Sequence, residues 1–247
     1  MSPNPLPNAP DDPPVVLVTG ARRGIGAYLA RHLHGRGFCV VGCALHPHEP
    51  ALPGMTYHAV DIRDEVAVRR LFAEIGRTPG RLDAVVNAAG LGPIMNHALL
   101  TPASTIERFL VHNVVGTFLV CREAAKLMRR RNKGGRIVNF SSISVPLRLE
   151  GEAGYIASKA GVERLSQVLA REFAEFGITV NVVGPTPIAT DALEDVPPEK
   201  IDALVGGLPV ARWGRFEDVA NVVDFFLDPR SDAITGQVLY LGGVTNG

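Results

Sequence analysis

Two side chains that could exchange a proton, Tyr155 and Lys159, stand four residues apart in the sequence. They open an apolar-periodic stretch that predicts a helix, and on a helix this spacing places both on one face. A free phenol has a pKa near ~10, and a shift of roughly 3 units toward neutrality corresponds to about 4 kcal/mol. An ammonium group at about 4 Å, at an effective dielectric near ~20, supplies a stabilisation of that size. The pair therefore predicts a tuned acid or base, and a surface pair on an ordinary helix is the alternative.

A glycine-rich turn at residues 19–26 joins a predicted strand to a predicted helix that runs to about Leu33. The strand, residues 15–18, is a continuous apolar run of the kind that is buried on both faces of a sheet. Glycines let backbone N–H groups approach a pyrophosphate, and the N-terminus of the helix favours its charge. The turn therefore predicts a dinucleotide phosphate site, although its spacing is not the G-x-G-x-x-G fingerprint. A tight structural loop is the alternative.

Strands and helices alternate along the chain, which predicts an α/β protein with a single-domain Rossmann fold. The expected sheet is doubly wound and parallel, with helices on both faces. Its seven strands are expected at residues 15–18, 38–43, 56–60, 82–86, 135–140, 178–183 and 237–240. Further helices are expected at residues 65–75, 105–131 and 216–227 and in the stretch that Tyr155 opens. Ligands of such sheets bind beyond the carboxyl ends of the strands, where Asp61, Asn87, Ser142 and Pro185 all fall.

The composition is that of a globular domain without a strongly charged surface. Residues 15–247 are expected to form the domain, and the proline-rich residues 1–14 a disordered tail. Lys plus Arg and Asp plus Glu each total 25, so neither nucleic acid nor a membrane is an expected partner. Three cysteines, an odd number, indicate reduced thiols and a cytoplasmic location. His46 and His48 lie in a loop without a third ligand nearby in sequence, so no metal is expected.

Five motifs occur in a fixed order between Val15 and Gly243, and together they resemble the short-chain dehydrogenase/reductase family. They are Thr19-Gly20-x-x-x-Gly24-Ile25-Gly26, Asn87-Ala88-Ala89-Gly90, Asn113, Ser142 at thirteen residues before Tyr155, and Tyr155-x-x-x-Lys159. Residues 135–138, 177–183 and 234–237 most resemble the 3-oxoacyl-carrier-protein reductase-like branch.

The resemblance implies an oxidoreductase that interconverts a ketone and a secondary alcohol by hydride transfer. Tyr155 would give a proton to the carbonyl oxygen, and Ser142 would hydrogen-bond the same oxygen. Lys159 would hold the cofactor ribose and lower the phenol pKa, while Asn113 would hold a water that links Lys159 to solvent. The alternatives are local, since Ser142 could cap a turn and Asn113 could satisfy buried backbone groups.

The resemblance also places a nicotinamide cofactor across the glycine turn and the strand ends. The residues expected to contact it are Gly20, Arg22, Arg23, Gly24, Ile25, Gly26, Asp61, Ile62, Asn87, Ala88, Gly90, Tyr155, Lys159, Pro185, Ile188 and Thr190. For Asp61, which would contact the adenine, N-capping of the following helix is the alternative.

The expected cofactor is NADP(H) rather than NAD(H). Ala44 stands where NAD-selective members carry a carboxylate for the ribose 2′-hydroxyl, so nothing there would repel a 2′-phosphate. Arg22 and Arg23 lie in the glycine turn, and at least one should reach that phosphate. The alternative is that Arg23 only braces the loop.

The chain departs from the family pattern at three places. The C-terminal Leu241-Gly242-Gly243 lacks the acid or amide that often precedes the glycines. Thr186 replaces the glycine of a Pro-Gly pair and brings a Cβ close to the expected nicotinamide position. Phe176 stands where carrier-protein reductases often place a basic residue, which argues against an acidic carrier protein as substrate. Residues 91–95, 143–148 and 189–208 should line an apolar pocket for a small-molecule ketone or alcohol, the last range as a mobile lid.

Two further expectations concern function and assembly. A dinucleotide-sensing binding protein without turnover is the alternative function. The resemblance implies a homotetramer, since members of the family commonly pair through the helix after the fourth strand and the Tyr155 helix. Apolar residues of these two helices would otherwise lie partly on an outer face, and the alternative is that they pack only on the sheet. These residues are Phe118, Val162, Leu169, Phe173 and Phe176.

Overall fold

The computed structural model describes residues 13–47 and 54–245. Most of the expected N-terminal tail, and His48 of the histidine pair, lie outside the described residues. Pro14, the last residue assigned to that tail, is attached to the sheet, because its carbonyl oxygen accepts the N–H of Cys39 at 2.9 Å.

Seven parallel strands form one sheet in the order β3-β2-β1-β4-β5-β6-β7, which confirms the predicted doubly wound fold. The order reverses between β1 and β4, where ligands of such sheets bind. The strands are β1 Val15–Thr19, β2 Cys39–Ala44, β3 Thr56–Ala59, β4 Ala84–Asn87, β5 Gly135–Phe140, β6 Ile178–Gly184 and β7 Val238–Tyr240.

Eight α-helices connect and cover these strands in the described part of the chain. They are α1 Gly24–Gly35, α2 Glu65–Ile75, α3 Ala103–Phe109, α4 Gly116–Arg129, α5 Ser144–Leu147, α6 Ala153–Phe173, α7 Pro198–Gly206 and α8 Phe216–Leu227. None of the helices within these ranges has the length and apolarity that crossing a bilayer requires.

The single helix expected over residues 105–131 is interrupted. A π-helical segment, Leu110–Val115, separates α3 from α4. Such a segment widens one turn of a helix and re-aims the side chains around it. It carries Asn113, one of the predicted site residues, so the irregularity lies at the site itself.

Two apolar layers bury the faces of the sheet. Leu17, Val85 and Ile137 pack under α2, α4 and α6, while Val16 and Val138 pack under α1 and α8. Neighbouring residues of one strand point to opposite faces, which explains why the strands read as continuous apolar runs. The sheet is thereby a rigid base whose carboxyl edge holds the site.

Candidate active site

The glycine turn brings the start of α1 close to the end of β4. Gly20 has a φ of +68°, and a Cβ there would lie 2.9 Å from the Cα of Ala89. A Cβ on Gly26 would lie 2.3 Å from the carbonyl oxygen of Gly20. No side chain caps the N-terminus of α1, so its first N–H groups are free to bind an anion. The turn is thus a cradle that fits a dinucleotide phosphate.

The two arginines of the turn have different surroundings. Arg23 is exposed and forms an ion pair with Asp191, Nη1 to Oδ2 at 3.0 Å. Arg22 is exposed, and its charge acts on Tyr57 of β3. Burial raises the pKa of the Tyr57 hydroxyl, and the Arg22 charge partly opposes that rise. Ala44, at the end of β2, pairs with Ala59 of β3, so neither strand places a carboxylate at that point.

Asp61 is held by Arg63 and does not cap a helix. Its carboxylate accepts the Arg63 N–H at 2.9 Å and pairs with the guanidinium, Oδ2 to Nη2 at 2.6 Å. These bonds hold the pKa of Asp61 below its usual range. Asp64 caps α2 instead, so the capping alternative for Asp61 is wrong. Ile62 is buried against Gly116, where a Cβ would lie 2.8 Å from its Cδ1.

The side chain of Asn87 lies in the interior, and the expectation that it lines the adenosine side is not met by that side chain. Its Nδ2 donates to Oδ1 of Asn139 at 2.8 Å and to Sγ of Cys121 at 3.3 Å. Asn139 in turn donates to the hydroxyl of Ser166 at 2.8 Å. These buried partners hold the carboxamide between β4, β5 and two helices, so a cofactor contact by the Asn87 backbone stays a prediction.

Asn113 joins three parts of the site. Its Oδ1 accepts the N–H of Leu91 at 2.9 Å, and its Nδ2 donates to Oγ of Ser158 at 2.9 Å. It therefore satisfies a buried backbone group, as the alternative had it, and lies next to Lys159 at the same time. A Cβ on Gly90 would lie 3.3 Å from Oδ1 of Asn113 and 3.4 Å from Nζ of Lys159.

Ser142, Tyr155 and Lys159 meet on one wall of a cavity. The Ser142 hydroxyl hydrogen-bonds the Tyr155 hydroxyl and also accepts the N–H of Ser144 at 3.1 Å, so it caps its own turn as well. Nζ of Lys159 lies 5.8 Å from the centroid of the Tyr155 ring. Helix α6 places Tyr155 and Lys159, and the segment after β5 places Ser142.

The pKa of Tyr155 shifts in the direction opposite to the expected one. Burial raises the pKa of Tyr155 to about 12, and its hydrogen bond with Ser142 only partly opposes this. Burial also lowers the pKa of Lys159 to about 8. The expectation that Lys159 lowers the phenol pKa is therefore wrong for the protein chain alone, because both groups leave water and Lys159 donates to the Phe140 carbonyl.

The cavity of about 550 Å³ collects many of the predicted residues. Those that line it are Ile25, Ala88, Gly90, Ser142, Tyr155, Lys159, Pro185, Ile188 and Thr190. From the predicted substrate pocket it includes Leu91, Gly92, Pro93, Met95, Ile143, Ser144, Ala192, Leu193, Val196, Lys200, Ile201, Ala203 and Leu204. Leu147 and Arg148 instead face solvent.

Sequence reasoning missed one buried acidic side chain in this wall. Glu152 is 4 % exposed and lines the cavity near Tyr155. Its position three residues before Tyr155 was the only available signal, since burial of an acidic residue depends on elements distant in sequence. Leu149 and Glu150 also line the cavity and were missed for the same reason.

Thr186 is accommodated by two glycines from later parts of the chain. A Cβ on Gly214 would lie 2.4 Å from Oγ1 of Thr186, and one on Gly242 would lie 2.6 Å from its Cγ2. The Thr186 side chain therefore packs against these two segments. Thr186 also lines the cavity, so its effect on the nicotinamide position stays a prediction.

Comparisons with known proteins agree with this geometry. Residues 20–245 match the family model described as enoyl-(acyl carrier protein) reductase. The chain is 32% identical over 237 residues to the 3-oxoacyl-[acyl-carrier-protein] reductase FabG of Staphylococcus aureus, with 92% of this chain and 96% of that protein covered. It is 34% identical over 243 residues to the uncharacterized oxidoreductase YgfF of Escherichia coli, with 93% and 98% covered.

A solved structure, that of levodione reductase, superposes with a TM-score of 0.87 at 25% identity, covering 93% of this chain and 96% of that one. The parallel sheet with helices on both faces and the oxidoreductases among the relatives together show that the protein is an oxidoreductase with an α/β fold. The chain belongs to the short-chain dehydrogenase/reductase family, where it is similar to the 3-oxoacyl-carrier-protein reductases.

Proposed function

We propose that this protein is an NADP(H)-dependent carbonyl reductase or alcohol dehydrogenase, with Tyr155 as general acid and base. The observation that carries the proposal is the meeting of Ser142, Tyr155 and Lys159 on one wall of the 550 Å³ cavity. A hydroxyl that can donate, a second hydroxyl beside it and a buried cation are the groups needed where a carbonyl oxygen takes up a proton.

The cofactor residues fit a dinucleotide. The phosphates would lie on Gly20, Gly24, Ile25 and Gly26, where the close approach of the backbone leaves room and the N-terminus of α1 is uncapped. Asp61, Ile62, Asn87, Ala88 and Gly90 would hold the adenosine side, and Pro185, Ile188 and Thr190 the nicotinamide side. When bound, the cofactor supplies the hydride.

Proton transfer is assigned to the residues of the wall. Tyr155 donates from its hydroxyl to the carbonyl oxygen, and Ser142 hydrogen-bonds that oxygen as negative charge grows on it. A phenolate at Tyr155 is costly in this buried place, as its raised pKa shows. The hydrogen bond with the Ser142 hydroxyl offsets part of that cost. Asn113, beside Lys159, would hold the water through which the proton is replaced.

The preference for NADP(H) rests on the surroundings of Arg22. No carboxylate stands at Ala44 or Ala59, so an added phosphate would meet no repulsion from these positions. Arg23 already pairs with Asp191, which supports its role as a brace and leaves Arg22 as the main contact for the phosphate. A charge-assisted contact of this kind contributes roughly 1.5–3 kcal/mol.

The proposed substrate is a free small-molecule ketone or the corresponding alcohol. Apolar side chains make up much of the cavity lining, among them Leu91, Met95, Val196, Ile201 and Leu204. The segment of residues 189–208, which carries α7, contributes to this lining and approaches Gly92 closely, since a Cβ on Gly92 would lie 2.1 Å from the carbonyl oxygen of Ala192. That segment is the proposed lid.

We also propose a homotetramer in the cytoplasm. Val162 and Leu169 are buried within one chain, so they do not argue for assembly. Leu110, Val111 and Val115 of the π-helical segment and Val168 of α6 are exposed, and they are the apolar residues that we expect a second chain to cover. The three cysteines are free thiols, which fits a reducing compartment.

The test is consumption of NADPH over a panel of β-keto esters, cyclic ketones and quinones. Turnover of at least one ketone supports the proposal. Tight cofactor binding with no turnover of any panel member contradicts it and favours the dinucleotide-sensing alternative.

A further inference from the structure

A buried carboxyl group in the cavity wall has no place in the proton transfer described above. Glu152 is the residue before α6 and is 4 % exposed, yet its side chain does not cap that helix. Its Oε2 atom has no hydrogen-bond partner among the described residues. A buried acceptor without a partner is costly to the fold, which is why such groups mark binding sites.

Glu152 is linked to Tyr155 by two hydroxyl groups. Ser144 hydrogen-bonds the Glu152 carboxylate, Ser142 donates to Oγ of Ser144 at 3.0 Å, and Ser142 hydrogen-bonds Tyr155. Ser144 has a single hydroxyl proton and can serve only one carboxylate oxygen. The second oxygen, Oε2, is buried and is left without a partner among the described residues.

The cavity relates this carboxyl group to the reacting hydroxyl. Glu152 stands immediately before α6 and precedes Tyr155 by three residues, and both residues line the same cavity. The charge of Glu152 also helps to raise the pKa of Tyr155, so the two groups are electrostatic neighbours. A molecule whose carbonyl oxygen meets Tyr155 occupies the cavity that Glu152 lines.

We propose that Glu152 is a specificity-determining residue that accepts a hydrogen bond from a substrate hydroxyl located one or two carbons from the reacting carbonyl. The substrate class is then the hydroxy ketones and the diols that correspond to them. This inference rests on the proposed function, since it assumes that a ketone binds at Tyr155.

The experiment compares matched ketones that differ by one hydroxyl group. Specificity constants are measured with saturating NADPH for 3-hydroxybutan-2-one and 4-hydroxybutan-2-one, each against butan-2-one, and for 2-hydroxycyclohexanone against cyclohexanone. The enzymes are the wild type, Glu152→Gln and Glu152→Met. Glu172→Gln is the control, because it makes the same change at an exposed position of the same helix, away from the cavity.

The wild type and Glu172→Gln are expected to prefer at least one hydroxy ketone by about 10- to 100-fold, the usual effect of one charge-assisted hydrogen bond. Glu152→Met should bring that ratio close to one, and Glu152→Gln should lower it severalfold. General damage to the site would slow both members of a pair and leave their ratio unchanged.

A wild-type ratio near one overturns the inference, and so does a ratio that both Glu152 variants retain. If Glu152→Met does not fold, the ratio in Glu152→Gln decides the outcome. Turnover of butan-2-one or cyclohexanone without a hydroxyl preference contradicts this inference alone. Failure of the wild type to reduce any ketone contradicts the proposed function and this inference with it.

Discussion

The Lys159 ammonium donates to the carbonyl oxygen of Phe140, the last residue of β5, at 3.1 Å. This bond anchors a fully buried cation to the edge of the sheet. It does not compensate for the loss of water, because the pKa of Lys159 falls from 10.5 to about 8. Burial of the Lys159 ammonium is therefore unfavourable relative to water.

The first prediction concerns stability against pH. The folded-state pKa of Lys159, about 8, lies below the unfolded value of 10.5, so the unfolded state binds more protons between these values. The free energy of unfolding should then rise as pH increases from 8 to 10.5, by about 3 kcal/mol from this group. Lys159→Met lacks this pH-dependent contribution. Urea unfolding gives the free energy of unfolding of the wild type and of Lys159→Met at pH 7 and at pH 10. The difference between the two proteins should change between these pH values, and a difference that is the same at both would argue against the buried cation.

The second prediction concerns cofactor choice. Arg22→Ala should lower kcat/KM with NADPH by about 10- to 100-fold and leave kcat/KM with NADH largely unchanged, because only the 2′-phosphate loses a partner. Arg23→Ala is the matched comparison and should have the smaller effect, since Asp191 already engages Arg23. A wild type that is faster with NADH is incompatible with the proposed preference.

The third prediction concerns the glycine turn. Gly26→Ala would set a methyl group 2.3 Å from the carbonyl oxygen of Gly20, so the turn must move and cofactor affinity should fall sharply. Gly35→Ala, at the other end of the same helix, meets nothing within 4 Å and should stabilise the protein by about 0.5–1 kcal/mol. Fluorescence titration with NADPH and thermal unfolding separate the two. Equal affinity in both variants would remove the turn from the cofactor site.

The fourth prediction concerns assembly. Val115→Glu and Val168→Glu each place a charge on the apolar face between the π-helical segment and α6, and should convert the tetramer to smaller species. Leu99→Glu, on an exposed turn elsewhere, should leave the mass unchanged. Light scattering at micromolar concentration reads the mass, and a monomeric wild type would disprove the tetramer.

The sequence predicted the bounds of helices and strands well where the apolar periodicity ends at polar or glycine residues. Helices α2 and α8 and strand β5 have the predicted bounds, because each is enclosed by polar or glycine residues. The interruption at Leu110–Val115 was not predictable, because a π-helical segment adds one residue to a turn without changing the composition. Periodicity alone therefore gave one long helix.

Side-chain directions in the site were harder to predict than its location. The rule that ligands bind beyond the carboxyl ends of parallel strands placed Asn87 at the correct edge of the sheet. The direction of its carboxamide is set by hydrogen bonds to Cys121 and Asn139, which lie 34 and 52 residues away in sequence. The fit of Thr186 depends on Gly214 and Gly242, which approach it only in the folded chain. The same holds for burial of Glu152. Contacts across elements decide these features, and a single sequence does not encode them locally.

The most direct test of the proposed function is the rate of ketone reduction by Tyr155→Phe. This substitution keeps the ring, which packs against Phe109 at 6.0 Å between centroids, and removes the proton that the carbonyl oxygen must receive. We expect turnover to fall by at least about 10²-fold, the usual scale of a general acid, with NADPH affinity within a few-fold of the wild type. Turnover close to that of the wild type, on a ketone that the wild type reduces, would show that Tyr155 is not the acid.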